Sequence, residues 1–356
     1  MRPGDKKVTR ISHSGKEMFL QCGEKYRLHY IERLRSPVYG SPLFLGSAFD
    51  EALGSLLLKY KPKEKRSEEE NRLAEADHFT ILDNELLTKE YNGETVHLPT
   101  YRYAKYFSKD FTPELLDEED LLYINSTAER LDYEALTKEG CEDFVKSCRQ
   151  EIKAKKALDK DAQVLFNLIH WCCCRRKLRF LLEMYEKDVI PQLEEVYSVQ
   201  KKVELSDGEH SLIGYIDFIA SFKDEPGVKY VCDNKLSSKA YPEDAIDDAV
   251  QLATYCEHEA TNRACFVVTE KGLRKRDPKH RIQILRGKIS EELFEKTFEQ
   301  FGEVVYNIEQ GVFEKTGMDG SKQECFHFGQ RCPYYNTCRG ESDKDLLVKL
   351  GGLHEK

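Results

Sequence analysis

Three consecutive segments rich in β-branched and aromatic residues follow Pro191, and they constrain the fold more than any other feature of the chain. They read EEVYSVQKKVEL, SLIGYIDFIASF and VKYVCDNKL, and the turn-forming groups Ser206-Asp207-Gly208 and Glu225-Pro226-Gly227 lie between them. Such runs between turn signals predict neighbouring β-strands. We therefore expect the C-terminal half of the chain to be built on a sheet.

Helical patterns surround these predicted strands. The N-terminal helix is expected to begin at a capping box of Ser14 and Glu17. The charged segment 61–188 is mostly helical and is interpreted as an insertion. The remaining expected elements are helices over 15–33, 46–60, 242–260 and 290–308 and strands over 264–269 and 281–285. Together these patterns predict an α/β fold in which a mixed sheet is flanked by helices and carries a large helical insertion.

Composition and charge indicate the location of the protein and the charge of its surface. A net charge of −9 over 356 residues argues against a uniformly basic, nucleic-acid-coating surface, so any contact with DNA would come from local patches. The sequence has no apolar run long enough to span a membrane and no export signal at its start, which predicts a cytoplasmic protein without membrane contact. In that setting its 12 cysteines indicate metal ligands or buried thiols rather than disulfides.

Aspartates occur in two of the three predicted strands. Asp217 ends the GYID motif, and Asp233-Asn234-Lys235 lies in YVCDNK. Alternation along a strand places Asp233 and Lys235 on one face, while Asn234 keeps a backbone carbonyl available. Charges in a covered sheet are costly unless they meet each other and a cation, and carboxylate oxygens suit Mg²⁺ or Mn²⁺. A surface salt bridge is the alternative interpretation.

Together with Gln251 and Tyr255, these residues resemble the signature D…(D/E)xK…QxxxY of the RecB-like branch of the PD-(D/E)XK nuclease superfamily. The resemblance implies a restriction-endonuclease-like core that hydrolyses phosphodiester bonds with a bound cation, Lys235 orienting the attacking water or stabilising negative charge. Gln251 and Tyr255 share a helix face, where they would contact the DNA backbone or order the lysine. Packing of Tyr255 in the core is the alternative.

The chain departs from this family at one metal ligand. The family carries a metal-binding histidine on a helix, four residues after a glycine, whereas here Gly46 leads to Asp50. An aspartate still offers an oxygen ligand, so the resemblance implies that Asp50, Asp217, Asp233 and the Asn234 carbonyl hold the cation.

Four cysteines at the two ends of the chain resemble a second family feature. Their arrangement is similar to that in AddB-type and CRISPR-associated RecB-like exonucleases, where one upstream cysteine and a C-terminal trio hold a 4Fe–4S cluster, although the first C-terminal gap is longer here. Zinc is the alternative metal. The implied ligands are Cys22, Cys325, Cys332 and Cys338. The other cysteines are expected to be mostly buried apolar residues.

The stretch KGLRKRDPKHR, residues 271–281, is the most basic short segment of the chain. As a loop between two strands it would neutralise DNA phosphates, and a solvated loop is the alternative. Its candidate DNA-binding residues are Lys271, Arg274, Lys275 and Arg276.

These features predict four segments of the chain with different roles. Residues 1–60 supply N-terminal helices and the first cluster cysteine, 61–188 the insertion, 189–310 the nuclease core and 311–356 the cysteine-rich tail. The resemblance implies a DNA exonuclease of recombination, repair or replication, of phage or cellular origin, that acts on linear or single-stranded ends. A separate helicase or recombinase is the implied partner, and oligomerisation is left open. A restriction-type endonuclease and a non-cleaving scaffold are the alternatives.

Overall fold

The computed structural model describes residues 9–35, 41–91, 94–97, 112–154, 158–206, 210–272, 279–316, 325–326, 331–341 and 347–349. Its strands are β1 Thr9–Ser12, β2 Leu34–Arg35, β3 Thr88–Tyr91, β4 Glu94–His97, β5 Leu193–Ser206, β6 His210–Phe222, β7 Glu225–Ser237, β8 Arg263–Glu270, β9 Arg281–Lys288 and β10 Val348–Lys349. Its α-helices are α1 His13–Gln21, α2 Gly23–Tyr26, α3 Ser41–Tyr60, α4 Glu68–Glu75, α5 His78–Leu87, α6 Glu118–Arg130, α7 Lys138–Lys153, α8 Lys160–Asp188, α9 Val250–His258, α10 Glu291–Glu309 and α11 Tyr335–Cys338. None of the helices in these ranges is long and apolar enough to cross a membrane.

Six strands form the central sheet, in the order β1, β6, β7, β8, β9 with β5 also paired to β6. β6 is antiparallel to β5 and β7, β8 is antiparallel to β9, and the pairs β1–β6 and β7–β8 are parallel. This mixed sheet between helices confirms the predicted α/β fold. The three strands expected after Pro191 are β5, β6 and β7.

One edge of β6 is shared by two strands, β1 and β7, and the sheet opens between them. β5 pairs along nearly the whole length of β6. On the opposite edge β1 pairs with residues 210–213, whereas the described pairing with β7 begins at Phe218, which faces Cys232. Residues 214–217 lie between these two pairings. Asp217 is therefore at the point where β7 diverges from β6.

Alternating side chains give the sheet two buried faces. Phe218, Ala220 and Phe222 pack in one apolar cluster with residues of α3 and α8. Ile219 and Val231 pack in the other, with residues of α9 and α10. Burying a side chain of this size contributes about 1.5–3 kcal/mol, so the strand register is strongly determined. The opening of the sheet consequently lies between two covering layers of helices.

The start of the N-terminal helix was predicted wrongly. Ser12 rather than Ser14 is the N-cap, since its hydroxyl accepts the backbone N–H of Gly15 at 3.0 Å. β1 extends through Ser12, so the helix begins directly after it. The helix also does not continue to residue 33. Cys22 is extended, with φ −166° and ψ 113°, and α2 is followed by a π-helical turn over Arg27–Ile31.

Close contact with a later segment accounts for the break at Cys22. The backbone N–H of Glu24 donates to the carbonyl of Glu314 at 3.1 Å. A Cβ atom on Gly23 would lie 2.8 Å from the backbone nitrogen of Glu314, so only glycine permits this approach. A continuous helix could not present these backbone groups to the later segment.

The described residues of the segment 61–188 are largely helical, as predicted, but they also include the hairpin β3–β4. The dipeptide Asn92-Gly93 between these strands is the sequence signal that could have predicted it. Helix α9 begins at Val250, later than expected, because turns such as the Ala245 N–H to Pro242 carbonyl bond precede it. The proposed domain boundaries stay a prediction.

Candidate active site

Three carboxylates from three different elements lie near the opening of the sheet. Asp50 is on α3, Asp217 is on β6 and Asp233 is on β7, where it is only 2 % exposed. Burial and then the charge of Asp233 raise the pKa of Asp50 to about 6. Burial, Asp233 and Asp50 raise the pKa of Asp217 well above its usual range. The three groups therefore act on one another through a poorly solvated space.

The backbone of β7 holds Asp217 at the opening. Oδ2 of Asp217 accepts the backbone N–H of Asn234 at 2.7 Å, two residues after Cys232. A side chain thus satisfies an amide that the diverging strands leave unpaired. The side chain of Asn234 accepts the hydroxyl of buried Tyr185 on α8 at 2.9 Å. Whether the Asn234 carbonyl binds the cation stays a prediction.

Lys235 connects the carboxylates to helix α9. Its Nζ lies 2.6 Å from Oδ2 of Asp233 and donates to Oε1 of Gln251 at 3.3 Å. Nε2 of Gln251 in turn donates to the hydroxyl oxygen of Tyr255 at 3.1 Å. Burial lowers the pKa of Lys235, but Asp233 and Asp217 raise it, and the net change is upward. Lys235 is therefore a cation at neutral pH and can orient water or stabilise negative charge.

Tyr255 reaches this chain of contacts only because position 214 is glycine. A Cβ atom on Gly214 would lie 2.5 Å from Cε1 and 2.6 Å from the hydroxyl oxygen of Tyr255. The backbone of Tyr215 also hydrogen-bonds the Tyr255 hydroxyl. Glycine within a strand often marks such a close approach. Gly214 and Tyr255 thus form one unit, in which the tyrosine holds Gln251 and Gln251 holds Lys235.

We expect Gly214→Ala to lower the DNA cleavage rate by about 10- to 100-fold, because the added methyl group displaces Tyr255 and frees Lys235 to shift. Gly302→Ala on α10 is the matched control, since a Cβ there has nothing within 4 Å. The measurement is the initial rate on linear DNA beside the thermal unfolding midpoint. Wild-type cleavage by a folded Gly214→Ala protein would show that Tyr255 does not position the lysine.

The donor set fits a hard divalent cation. Among the residues the structure describes, no three His, Cys, Asp or Glu side chains are already gathered as a metal cage. All three carboxylates have raised pKa values because burial disfavours their ionised forms, and like charge adds to this effect at Asp50 and Asp217. A cation between them would reverse that effect and draw the oxygens together, and Mg²⁺ and Mn²⁺ prefer oxygen ligands.

The four predicted cluster cysteines are near one another. Cys22 and Cys325 both contribute to the raised pKa of Cys332, whose main cause is burial, and the same two thiols act on Cys338. The backbone N–H of Cys332 donates to the carbonyl of Cys325 at 2.8 Å. All four thiols are free and partly buried. Within the described part of the chain these thiols are not gathered into a metal cage, so their role as cluster ligands stays a prediction.

Contacts other than the cysteines also hold the tail against the N-terminal region. The hydroxyl of Tyr334 hydrogen-bonds Nδ1 of His29 at 2.8 Å and donates to the Leu34 carbonyl at 2.9 Å. β10 pairs antiparallel with β2. Of the eight other cysteines, seven are buried, as expected, and Cys174 is partly buried.

The structure places only one of the four predicted DNA-binding residues. The backbone N–H of Lys271 donates to the carbonyl of Ser237 at 2.8 Å, which ties the start of the loop to the end of β7. Arg274, Lys275 and Arg276 lie outside the described residues. A DNA contact through this loop stays a prediction.

Sequence reasoning missed three residues of this site. Gly214 had a usable signal, because a glycine inside an apolar strand often marks a close backbone contact. Tyr185 had none, since a tyrosine on an apolar helix is most often a core residue. Gln200 also had none: its Nε2 donates to Oδ2 of Asp50 at 3.3 Å, across 150 positions of sequence.

Comparison with known proteins gives one broad match. The family model for the PD-(D/E)XK nuclease superfamily matches residues 10–339, a range that contains the three carboxylates, Lys235 and the four predicted cluster cysteines. Among solved structures, a candidate exonuclease from Eubacterium rectale is similar at 11 % identity over 57 % of this chain and 73 % of that one, with a TM-score of 0.29. The protein SSO0001 is similar at 14 % identity over 53 % and 84 %, with a TM-score of 0.24. No curated protein sequence matches.

Proposed function

Because this chain belongs to the PD-(D/E)XK nuclease superfamily, we propose that it is a DNA exonuclease of the RecB-like branch that removes nucleotides from DNA ends with Mg²⁺ or Mn²⁺. The observation that carries the proposal is the continuous contact from Asp233 through Lys235 and Gln251 to Tyr255. The spacing D…DxK…QxxxY in the sequence therefore corresponds to one physical unit. Asp217 faces it from the other side of the sheet opening.

Each side chain has a distinct part in this mechanism. The cation, when bound, polarises the scissile phosphate and makes water more acidic. Asp50, Asp217 and Asp233 would hold it. Lys235, charged and held between Asp233 and Gln251, stabilises the negative charge that develops on the phosphate oxygens. Gln251 and Tyr255 prevent the lysine from moving away.

DNA topology separates this proposal from its alternatives. We expect the purified protein with Mg²⁺ or Mn²⁺ to degrade end-labelled linear DNA and to leave covalently closed circles intact. Cleavage of the circles would instead identify a restriction-type endonuclease. DNA binding without any cleavage would identify a scaffold. The same assay on 5′-labelled and 3′-labelled DNA, in single-stranded and double-stranded form, then defines which ends the protein degrades. It thereby defines the DNA on which a partner helicase or recombinase would act.

We also propose that Cys22, Cys325, Cys332 and Cys338 hold a 4Fe–4S cluster, with zinc as the alternative metal. Support comes from the mutual electrostatic influence of these thiols and from the backbone hydrogen bond that joins Cys332 to Cys325. Four thiolates suit either metal. Binding would stabilise the fold by closing a loop of nearly the whole chain.

A further inference from the structure

Gln200 has a backbone conformation that residues other than glycine rarely adopt, and it does so beside the acidic cluster. Its φ is +48° although it lies within β5. Such strain costs about 1–3 kcal/mol and persists only where the surroundings impose it. The flanking pairs Val199–Phe218 and Lys201–Ile216 are regular. The distortion is therefore confined to the position between them, where β5 faces Asp217.

The side chain of Gln200 extends toward helix α3. Its Nε2 donates to Oδ2 of Asp50 at 3.3 Å. Gly54 follows Asp50 by one helical turn and so lies on the same face of α3. A Cβ atom added to Gly54 would lie 3.7 Å from Cγ of Gln200, so the glutamine passes close to this glycine. The distorted strand and the glycine of α3 together bring the amide to the carboxylate.

An amide is suited to hold a carboxylate that must still bind a cation. A lysine or arginine here would neutralise Asp50 and compete with the metal. Glutamine donates a hydrogen bond without adding charge, so Asp50 keeps its attraction for a cation. An ionised carboxylate has about four lone-pair sites, so Asp50 can accept this bond and still bind a cation.

We infer that Gln200 is a positioning residue that orients the Asp50 carboxylate toward the divalent cation. The inference rests on the proposed function, because it takes Asp50 to be a ligand of that cation. It deepens the proposal by adding a partner from β5 to a site otherwise built from α3, β6, β7 and α9. Hydrogen-bonding partners of metal ligands typically change metal affinity by about 10- to 100-fold when they are removed.

The test is calorimetric titration of the metal-free protein with Mn²⁺ in the absence of DNA. Gln200→Met keeps the length of the side chain but cannot donate, and Gln200→Gly removes the amide while relieving the backbone strain. Both should weaken Mn²⁺ binding by about 10-fold or more. Gln192→Met is the matched control, because Gln192 makes a side-chain hydrogen bond to the Asp188 carbonyl, outside the site, and this variant should bind as wild type does.

A double-mutant cycle separates positioning from a general structural role. If Gln200 acts through Asp50, Gln200→Met should have no further effect on Mn²⁺ affinity in an Asp50→Ala protein. The unfolding midpoint of Gln200→Gly should equal or exceed that of wild type, because the strain is gone. Loss of Mn²⁺ affinity in a protein of undiminished stability supports the inference.

The remaining outcomes identify which proposal fails. Wild-type Mn²⁺ affinity in both Gln200 variants overturns the role of Gln200 and leaves the nuclease proposal intact. Normal Mn²⁺ binding by a wild-type protein that cuts no DNA overturns the exonuclease proposal alone. A wild-type protein that does not bind Mn²⁺ overturns both.

Discussion

Replacement of Asp233 by asparagine is expected to reduce DNA cleavage by about 10³-fold or more, because it removes a charge that holds the cation and orients Lys235. Asp233 is 2 % exposed and its Oδ2 lies 2.6 Å from the lysine. Burial raises the pKa of Asp233, so its ionised form is costly in the folded protein. Asparagine has nearly the same shape and no charge, so the variant should fold.

The measurement is the initial cleavage rate on end-labelled linear DNA at saturating Mg²⁺, beside DNA affinity and the unfolding midpoint. Asp224→Asn is the matched control. Asp224 lies before β7, at a turn, and pairs with Arg286 at 2.8 Å rather than with the site. The Asp224→Asn variant should cleave DNA as the wild-type protein does. If Asp233→Asn retained more than about a tenth of the wild-type rate, the metal-centred mechanism would be wrong.

If the four cysteines hold a 4Fe–4S cluster, the wild-type protein should be brown, and replacement of Cys332 by serine should remove that colour and lower the stability by roughly 4 kcal/mol, as for cross-links that close long loops. Cys332 is among the four partly buried thiols where the tail meets the N-terminal region, near Cys22 and Cys325. Serine has no thiolate to offer a metal. Without the metal, contacts such as the hydrogen bond between Tyr334 and His29 would be left to hold the tail against the N-terminal region.

Near-visible absorbance, iron and zinc content and the unfolding midpoint of anaerobically purified protein provide the readouts. Cys174→Ser is the control, because Cys174 is also partly buried but lies on α8. Zinc without iron in the wild type would replace the cluster by a zinc site and keep the cross-link. Unchanged metal content and stability in Cys332→Ser would remove Cys332 from the ligands.

Patterns that depend on neighbouring residues could be read from the sequence. The strands around Asp217 and Asp233 alternate apolar residues over two faces, and the QxxxY spacing places Gln251 and Tyr255 on one side of α9. Strand and helix periodicity are properties of short segments, so no tertiary information was needed. The α/β fold followed from these patterns, whereas the motifs themselves were identified by their resemblance to the RecB-like signature.

The features that could not be predicted from the sequence depend on contacts between residues far apart in the chain or on an unusual backbone conformation. The N–H of Asn234 binds Asp217 only because β6 and β7 diverge, and the strand sequences do not encode where pairing stops. Gln200 looks like any polar residue of an exposed strand, since its positive φ leaves no mark on sequence periodicity. The end of α1 at Cys22 likewise depends on Glu314, nearly 300 residues away.

The hydrogen bond from Tyr185 to Asn234 has a consequence for anyone who wishes to shorten this protein. Tyr185 belongs to α8, the last helix of the segment interpreted as an insertion, yet its hydroxyl contacts the residue between Asp233 and Lys235. The insertion is thus not a detachable module. A shortened variant must retain α8, and it would also have to cover the apolar face of α8 against which Ile124 of α6 and Val145 of α7 now pack.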